Sequence, residues 1–370
     1  MSYTPFSPLK NWFGPELYRR LAAVLALISR KFDEQRFLGL TLDGLEQRQL
    51  MARLQQTALA FEESTPGTYS AKLDVLRKLA PCIGHEFIAI FLSDFVRQFG
   101  RYDFDASMAA LRDFTRYGSA EFAIRPFIVD DQERTLSVML KWTRDGDERV
   151  RRLASEGCRP RLPWGLRLAS LVRDPAPLEA ILHALRADSA LFVRKSVANN
   201  LNDITRDHPA WVLDRLKSWD LGHVNTAWIA KHACRTLIKK GHLRALSLFG
   251  FGKPPALQAR LTASPASLNS GSTLTITARL TSTSRASQAL AVDYVIHYAK
   301  ASGGTSPKVF KWTADTLPAG GEVTLTKRQV IRDFTTRKHY AGPHRTELQI
   351  NGRRVAETVW TLQAGAVGRD

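Results

Sequence analysis

The chain has 370 residues, which is length for two domains, and 44% of them are hydrophobic while 24% are charged. That balance excludes disorder as the default state, and no apolar run is long enough to span a bilayer. Lys and Arg number 53 against 35 Asp and Glu, a formal net charge of +18; so large an excess points to a polyanionic partner, nucleic acid before others.

In chain order, the N-terminal MSYTPFSPLKNWFGPELYRR carries no apolar signal-peptide core. Leu17, Leu21, Val24, Leu25 and Ile28 then recur at helical spacing, and so do Val172, Leu178, Ile181, Leu182 and Leu185. Asp43 and Asp174 read as helix starts and Gly241 as a stop. Within this helical half, Asp147 to Ala154 is echoed by Ala190 to Ala198 and more faintly by Trp228 to Cys234. The intervals are 43 residues from Val150 to Val193 and 36 from Val193 to Ile229. A polar entry, a Val-Arg pair and a helix of small residues, returning about every 40 residues, fits two-helix HEAT-like repeats, in which each pair buries its apolar face on the next and leaves one concave face. An irregular helical bundle is the alternative. The three cysteines, Cys82, Cys158 and Cys234, form no CxxC pair. They support neither a metal site nor a disulfide framework, and read as buried free thiols of a reducing compartment.

Gly250-Phe251-Gly252-Lys253-Pro254-Pro255 breaks the pattern. Beyond it Leu274, Ile276, Ala278 and Leu280 alternate with polar residues, as do Val292, Tyr294, Ile296 and Tyr298. Asn351-Gly352 between two such runs is a type I′ hairpin signal. About seven short strands suggest an immunoglobulin-like sandwich, one without a disulfide, since no cysteine follows Cys234. The expected fold class is therefore multidomain, α then β: a HEAT-like α-solenoid over 1–250, a linker over 251–256, an immunoglobulin-like β-sandwich over 257–364 and a tail over 365–370. From residue 256 onward there are 15 Lys and Arg against 7 Asp and Glu, so both halves are basic and both are placed to touch one polyanion.

Acidic residues set among arginine-rich runs call for a reason on so basic a protein. Three segments contain them: Ser119 to Phe127 (SAEFAIRPF), Val150 to Trp164 (VRRLASEGCRPRLPW) and Ser196 to Pro209 (SVANNLNDITRDHP). At these strings the chain resembles the AlkC branch of the AlkC/AlkD bacterial DNA alkylation-repair glycosylases, and the resemblance runs over nearly the whole chain, including an Ig-like domain. It implies a HEAT-like fold and release of cationic N-methylated purines, chiefly 3-methyladenine, from double-stranded DNA, without the full base flipping most base-modifying enzymes need. It implies a monomeric, monofunctional, bacterial and cytoplasmic enzyme, associated with the nucleoid when bound to DNA, with no cofactor and no metal.

The residue chemistry agrees with that activity. Methylation at N3 makes the base cationic and weakens its glycosidic bond, so the leaving group needs no proton. The catalyst must stabilise an oxocarbenium-like sugar, which a carboxylate does electrostatically, while a second orients and deprotonates water. Glu121, Glu156 and Asp203 are one acid from each segment, with Glu156 and Asp203 assigned nearest the sugar. An acid near a helix end is otherwise a cap or an ion-pair partner; Asp207 reads as such a cap. Trp164 stacks on the cationic base or anchors the core. Arg151, Arg152, Arg159, Arg161, Arg194 and Lys195 are the candidate DNA contacts in the repeats. Arg337 and Lys338, in a basic loop with Tyr340, are those of the sandwich, where a clamp would enter the minor groove that carries adenine N3. Ordinary surface charge is the bland account of each, and two other functions stay open: a non-catalytic DNA-binding HEAT protein and a protein-interaction scaffold.

Overall fold

A computed structural model describes residues 8–334 and 338–363. Helices fill the chain up to Leu248 and strands follow from Leu257, in the expected order of α then β. The chain divides into two compact units, residues 1–208 with 219–233, and residues 209–218 with 234–370.

In the first unit the repeats have a visible physical basis. Val150, Val193 and Ile229, the matched positions of the three echoes, are wholly buried on the helices Glu148–Glu156, Leu191–Ile204 and Val224–Ala233. The middle helix packs on both others. The arginine after each of the first two valines does the same work. Arg151 Nη1 donates to the carbonyls of Asp145 and Gly146, at 2.9 and 3.1 Å. Arg194 Nη1 donates to those of Asp188 and Ser189, at 3.0 and 2.6 Å. Each turn is then stapled from the preceding repeat. Arg112 Nε reaches Asp145 Oδ2 at 2.7 Å, and Arg151 Nε and Nη2 grip Asp188 at 2.7 and 3.2 Å. The Oδ1 of each aspartate also accepts a backbone N–H of its own turn, from Asp147 at 2.9 Å in Asp145 and from Ala190 at 2.8 Å in Asp188. A two-point arginine grip fixes angle as well as distance, so these pairs set how one repeat meets the next.

Two local readings are corrected. Asp43 follows the helix Glu34–Leu42 as its C-cap; the next helix, Leu50–Ser64, begins after Gln49. Cys82 is exposed, while Cys158 and Cys234 are buried as expected.

The second unit carries eight strands among the described residues: β1 (Leu257–Ser264), β2 (Ser267–Leu268), β3 (Thr273–Ser282), β4 (Gln288–Ala299), β5 (Thr305–Leu317), β6 (Glu322–Val330), β7 (Gly342–Ile350) and β8 (Arg353–Leu362). They form a three-stranded sheet, β1-β3-β6, and a five-stranded sheet, β2-β8-β7-β4-β5. Alternation places Leu274, Ile276, Ala278 and Leu280 of β3 in one core with Tyr294, Ile296 and Trp360. Trp360 anchors this core. It is 1% exposed, stacks on His344 at 4.4 Å and donates Nε1–H to Thr346 Oγ1 at 2.9 Å. Burying an indole contributes on the order of 5 kcal/mol before the entropy of ordering it. The Asn351-Gly352 turn has φ of 48° and 77°, as a type I′ hairpin requires. The Asn351 side chain also bonds Ala291 N at 2.7 Å and the linker carbonyl of Lys253 at 3.1 Å.

One buried acid on β4 gives the sandwich a pH dependence. Asp293, 5% exposed, lies opposite Gln349 and Lys311. Burial pushes its carboxyl from 3.8 up to about 6, against the hydrogen bond to Gln349 and the fields of Lys311 and Lys239. The folded state therefore holds a proton that the unfolded chain has already lost between pH 4 and 6, so Asp293 makes this unit more stable as pH falls through that window. Denaturant unfolding at pH 5 and pH 7 checks this: the Asp293→Asn variant should lose that gain, and an unchanged difference between the two pH values would refute it.

Candidate active site

The helix Glu148–Glu156 starts on Asp147, whose side chain accepts from Arg149 N at 2.8 Å, and ends at Gly157. A Cβ on Gly157 would lie 2.5 Å from Ile124 Cγ2, so only glycine lets the helix end settle on the 119–124 turn. That turn is seated just as closely, since a Cβ on Gly118 would lie 2.5 Å from the Glu86 carbonyl oxygen. Helical spacing sets Arg152 and Glu156 on one side, and the turn after the helix, in which Arg159 N donates to the Glu156 carbonyl at 3.3 Å, brings Arg159 beside them. Asp203 comes from the last turn of the helix Leu191–Ile204.

These elements bring the three predicted carboxylates into a single alternating ladder: Glu121, Arg152, Glu156, Arg159, Asp203. Arg152 Nη1 pairs with Glu121 and donates to Ser119 Oγ at 2.8 Å. Ser119 in turn donates to Glu121 Oε2 at 2.6 Å. Arg152 Nη2 lies 3.5 Å from Glu156 Oε1, which also accepts from Arg159 Nη1 at 2.7 Å. Arg159 grips Asp203 at two points, 2.9 and 3.2 Å. Burial works against the charge on Arg159, but the hydrogen bond to Asp203 and the field of Glu156 outweigh it and its pKa is raised.

The ladder is mostly out of solvent. The Glu156 side chain is 5% exposed and those of Glu121 and Asp203 are each 14% exposed. Glu156 Oε2 is buried with no hydrogen-bond donor among the described residues. A carboxylate oxygen left that way is costly, and native proteins rarely leave one without a use. The nearby thiol is no rival for the chemistry: burial pushes Cys158 up to about 12. Among the described residues no three of His, Cys, Asp and Glu converge as metal ligands, and no helix is long and apolar enough to cross a membrane.

Trp164 is not a core residue. It is 80% exposed and has a φ of 63°, in the left-handed region that costs an ordinary side chain energy and recurs at functional sites. The arginines proposed for DNA divide in use. Arg152 and Arg159 belong to the ladder. Arg151 and Arg194 serve the repeat turns. Arg161 grips Asp207, with its closest contact at 2.8 Å, so Asp207 is an ion-pair partner. Lys195 and Lys338 are exposed, while Arg337 lies outside the described residues.

Sequence reasoning missed Ser119, Phe192 and Arg125. Phe192 carries Arg152 over its ring at 4.8 Å. Arg125 lies in the first matched string, yet nothing in the string tells a buried cation from a surface one.

The comparisons with known proteins agree over nearly all of the chain. The family described as "DNA alkylation repair enzyme" matches residues 88–237. The one described as "Uncharacterised protein YhaZ, C-terminal Ig-like domain" matches residues 258–364. The uncharacterized protein YhaZ of Bacillus subtilis (strain 168) is 38% identical over 346 residues, covering 93% of this chain and 96% of that one. A solved structure of the Pseudomonas fluorescens alkylpurine DNA glycosylase AlkC, bound to DNA containing an abasic site analog, is 44% identical, with a TM-score of 0.92 over 97% of this chain and 100% of that one. With 44% identity to that glycosylase over nearly the full length of both chains and a DNA alkylation repair family match in the helical half, the chain belongs to the AlkC-type family of DNA alkylation repair proteins.

Proposed function

We propose that the protein is a monofunctional DNA glycosylase that hydrolyses the N-glycosidic bond of cationic N-alkylated bases, chiefly 3-methyladenine, in double-stranded DNA. The observation that carries this reading is Glu156 Oε2, a buried carboxylate oxygen without a donor beside two arginines. A scaffold or a passive DNA binder gains nothing from that arrangement. A catalyst that must meet a developing sugar cation does, because an anionic oxygen already stripped of water stabilises that charge without reorganising. The activity of the Pseudomonas fluorescens relative, an alkylpurine DNA glycosylase by name, supports the same reading.

In this account the leaving base departs with the bonding pair and is neutral once free, so no acid is required. Glu156 stabilises the oxocarbenium-like sugar. Asp203, more exposed than Glu156, orients the water and takes its proton as oxygen bonds to C1′. Glu121 completes the acidic group. No cofactor or metal enters the reaction, the base is released without being fully flipped, and the protein acts as a cytoplasmic monomer. The 1–250 half is the catalytic and DNA-binding domain, and Lys195 supplies a phosphate contact there. The 257–364 sandwich is a clamp, with Arg337 and Lys338 on the second grip.

The test is incubation of the full chain with methylated duplex DNA, followed by chromatography of the released bases. Free 3-methyladenine is expected. None above the buffer control would overturn the reading, and a protein–DNA adduct trapped by borohydride would overturn the hydrolytic mechanism.

A further inference from the structure

Arg125 is wholly buried. Its Nε donates to the Leu166 carbonyl at 2.6 Å and its Nη1 to the Gly157 carbonyl at 2.8 Å. Nη2 is buried without a partner, and no carboxylate accepts from this guanidinium among the described residues. Burial pulls it down to about 10, with the like charge of Arg159 adding to that and the fields of Asp203 and Glu121 opposing. Burying a cation only to satisfy two neutral carbonyls is an expensive way to hold a loop.

The loop it holds, residues 157–168, follows Glu156 directly and displays Trp164. Arg125 grips it at its first residue, Gly157, and at Leu166, two residues past Trp164. Within the loop Leu162 and Leu168 are buried, and Gly165 N donates to the Leu162 carbonyl at 3.1 Å. A Cβ on Gly165 would lie 3.3 Å from Arg125 Nε and 3.1 Å from Leu162 Cδ2, so the guanidinium is packed directly under the residue that follows the strained tryptophan. Arg159 and Arg161 tie the same loop to Asp203 and Asp207. An indole 80% exposed in a left-handed conformation keeps that conformation only where its surroundings over-determine it.

We propose that Arg125 is a positioning residue: by stapling the 157–168 loop at Gly157 and Leu166, on either side of Trp164, it fixes that indole as the ring face on which the alkylated, cationic base stacks beside the carboxylates. This rests on the functional reading above, with the ring supplying cation–π attraction to the lesion. A fork-shaped donor is required because two carbonyls at different angles must be held by one group.

Three variants, Arg125→Met, Arg125→Lys and Trp164→Ala, together with the double variant Arg125→Met/Trp164→Ala, test it in the full chain. Single-turnover excision should fall at least roughly tenfold in both Arg125→Met and Trp164→Ala, with affinity for undamaged duplex unchanged within about twofold. The double variant should be no slower than the slower single one, since both remove the same platform. Arg125→Lys keeps the cation and one carbonyl bond and should recover part of the rate; it also serves if the methionine variant does not fold. A readout independent of catalysis comes from fluorotryptophan labelling, with the Trp164 signal assigned through Trp164→Phe. That signal should move towards the free amino-acid position in Arg125→Met or Arg125→Lys. An unmoved signal, or losses that multiply in the double variant, would overturn the proposal. If the wild-type chain releases no base, the functional reading fails, while the fluorine signal still decides whether Arg125 positions Trp164.

Discussion

Replacing Glu156 with glutamine is expected to slow base release by at least about 100-fold, the scale on which a single preorganised electrostatic group acts in other enzymes, while DNA affinity stays within a few-fold of the parent. The substitution is nearly isosteric. The amide oxygen can still accept from Arg159, which bonds Glu156 Oε1 at 2.7 Å. Only the oxygen without a donor is exchanged for a neutral amide nitrogen. The two arginines of the ladder then face two carboxylates in place of three, so the fold loses no charge balance. Single-turnover release from methylated duplex, measured beside binding to undamaged duplex, checks this. An excision rate within about threefold of the parent would remove Glu156 from the chemistry, because electrostatic stabilisation cannot survive loss of the charge.

A change at Arg159 should act on stability as well as on rate. Arg159→Met takes away a side chain that bonds both Glu156 and Asp203. Those carboxylates keep 5% and 14% of their side-chain surface in contact with solvent. Removing one partner from a buried ion pair typically costs 3–5 kcal/mol, and about 3 kcal/mol is expected here because Asp203 has some access to water. Denaturant unfolding of the helical unit measures it, and a loss under about 0.5 kcal/mol would show that the ladder carries no structural load. Arg159→Lys should recover little. An ammonium cannot make a two-point grip on Asp203 while also serving Glu156, so the spacing of the two acids, and with it excision, is expected to fail even in a folded variant.

Much of the architecture was legible because it depends on short-range patterns. The 43-residue echo between Val150 and Val193 returns as two wholly buried valines on packed helices. The Asn351-Gly352 dipeptide returns as a turn with both residues at positive φ. The three acids could be picked out because each sits in a long matched string. What the sequence did not reveal is which charges are already spent. Arg151 and Arg194 look like free Val-Arg positions until Asp188, 37 residues beyond Arg151, is seen to be the partner of one and to lie beneath the other. Asp207 reads as a cap because its partner, Arg161, is 46 residues away. Arg125 is indistinguishable in sequence from a surface arginine, since its burial is decided by the carbonyls of a loop more than 30 residues further on. Asp43 misled for the opposite reason: aspartate suits the entry to a helix, and here it follows the exit of one.

These pairings also change what the positive charge is for. Several of the arginines that made the chain look like a simple polyanion binder are bound to its own carboxylates. The chemistry proposed here rests on the acid that they leave incompletely matched. That account makes a sharp demand on the substrate. A ladder of carboxylates can receive a sugar cation, but it offers no proton to a neutral leaving base. Side-by-side incubation of the protein with duplex containing 3-methyladenine and with duplex containing hypoxanthine, followed by chromatography of the free bases, tests this directly. The account predicts release of 3-methyladenine, lost in Glu156→Gln, and no release of hypoxanthine; release of the two bases at comparable rates would contradict it.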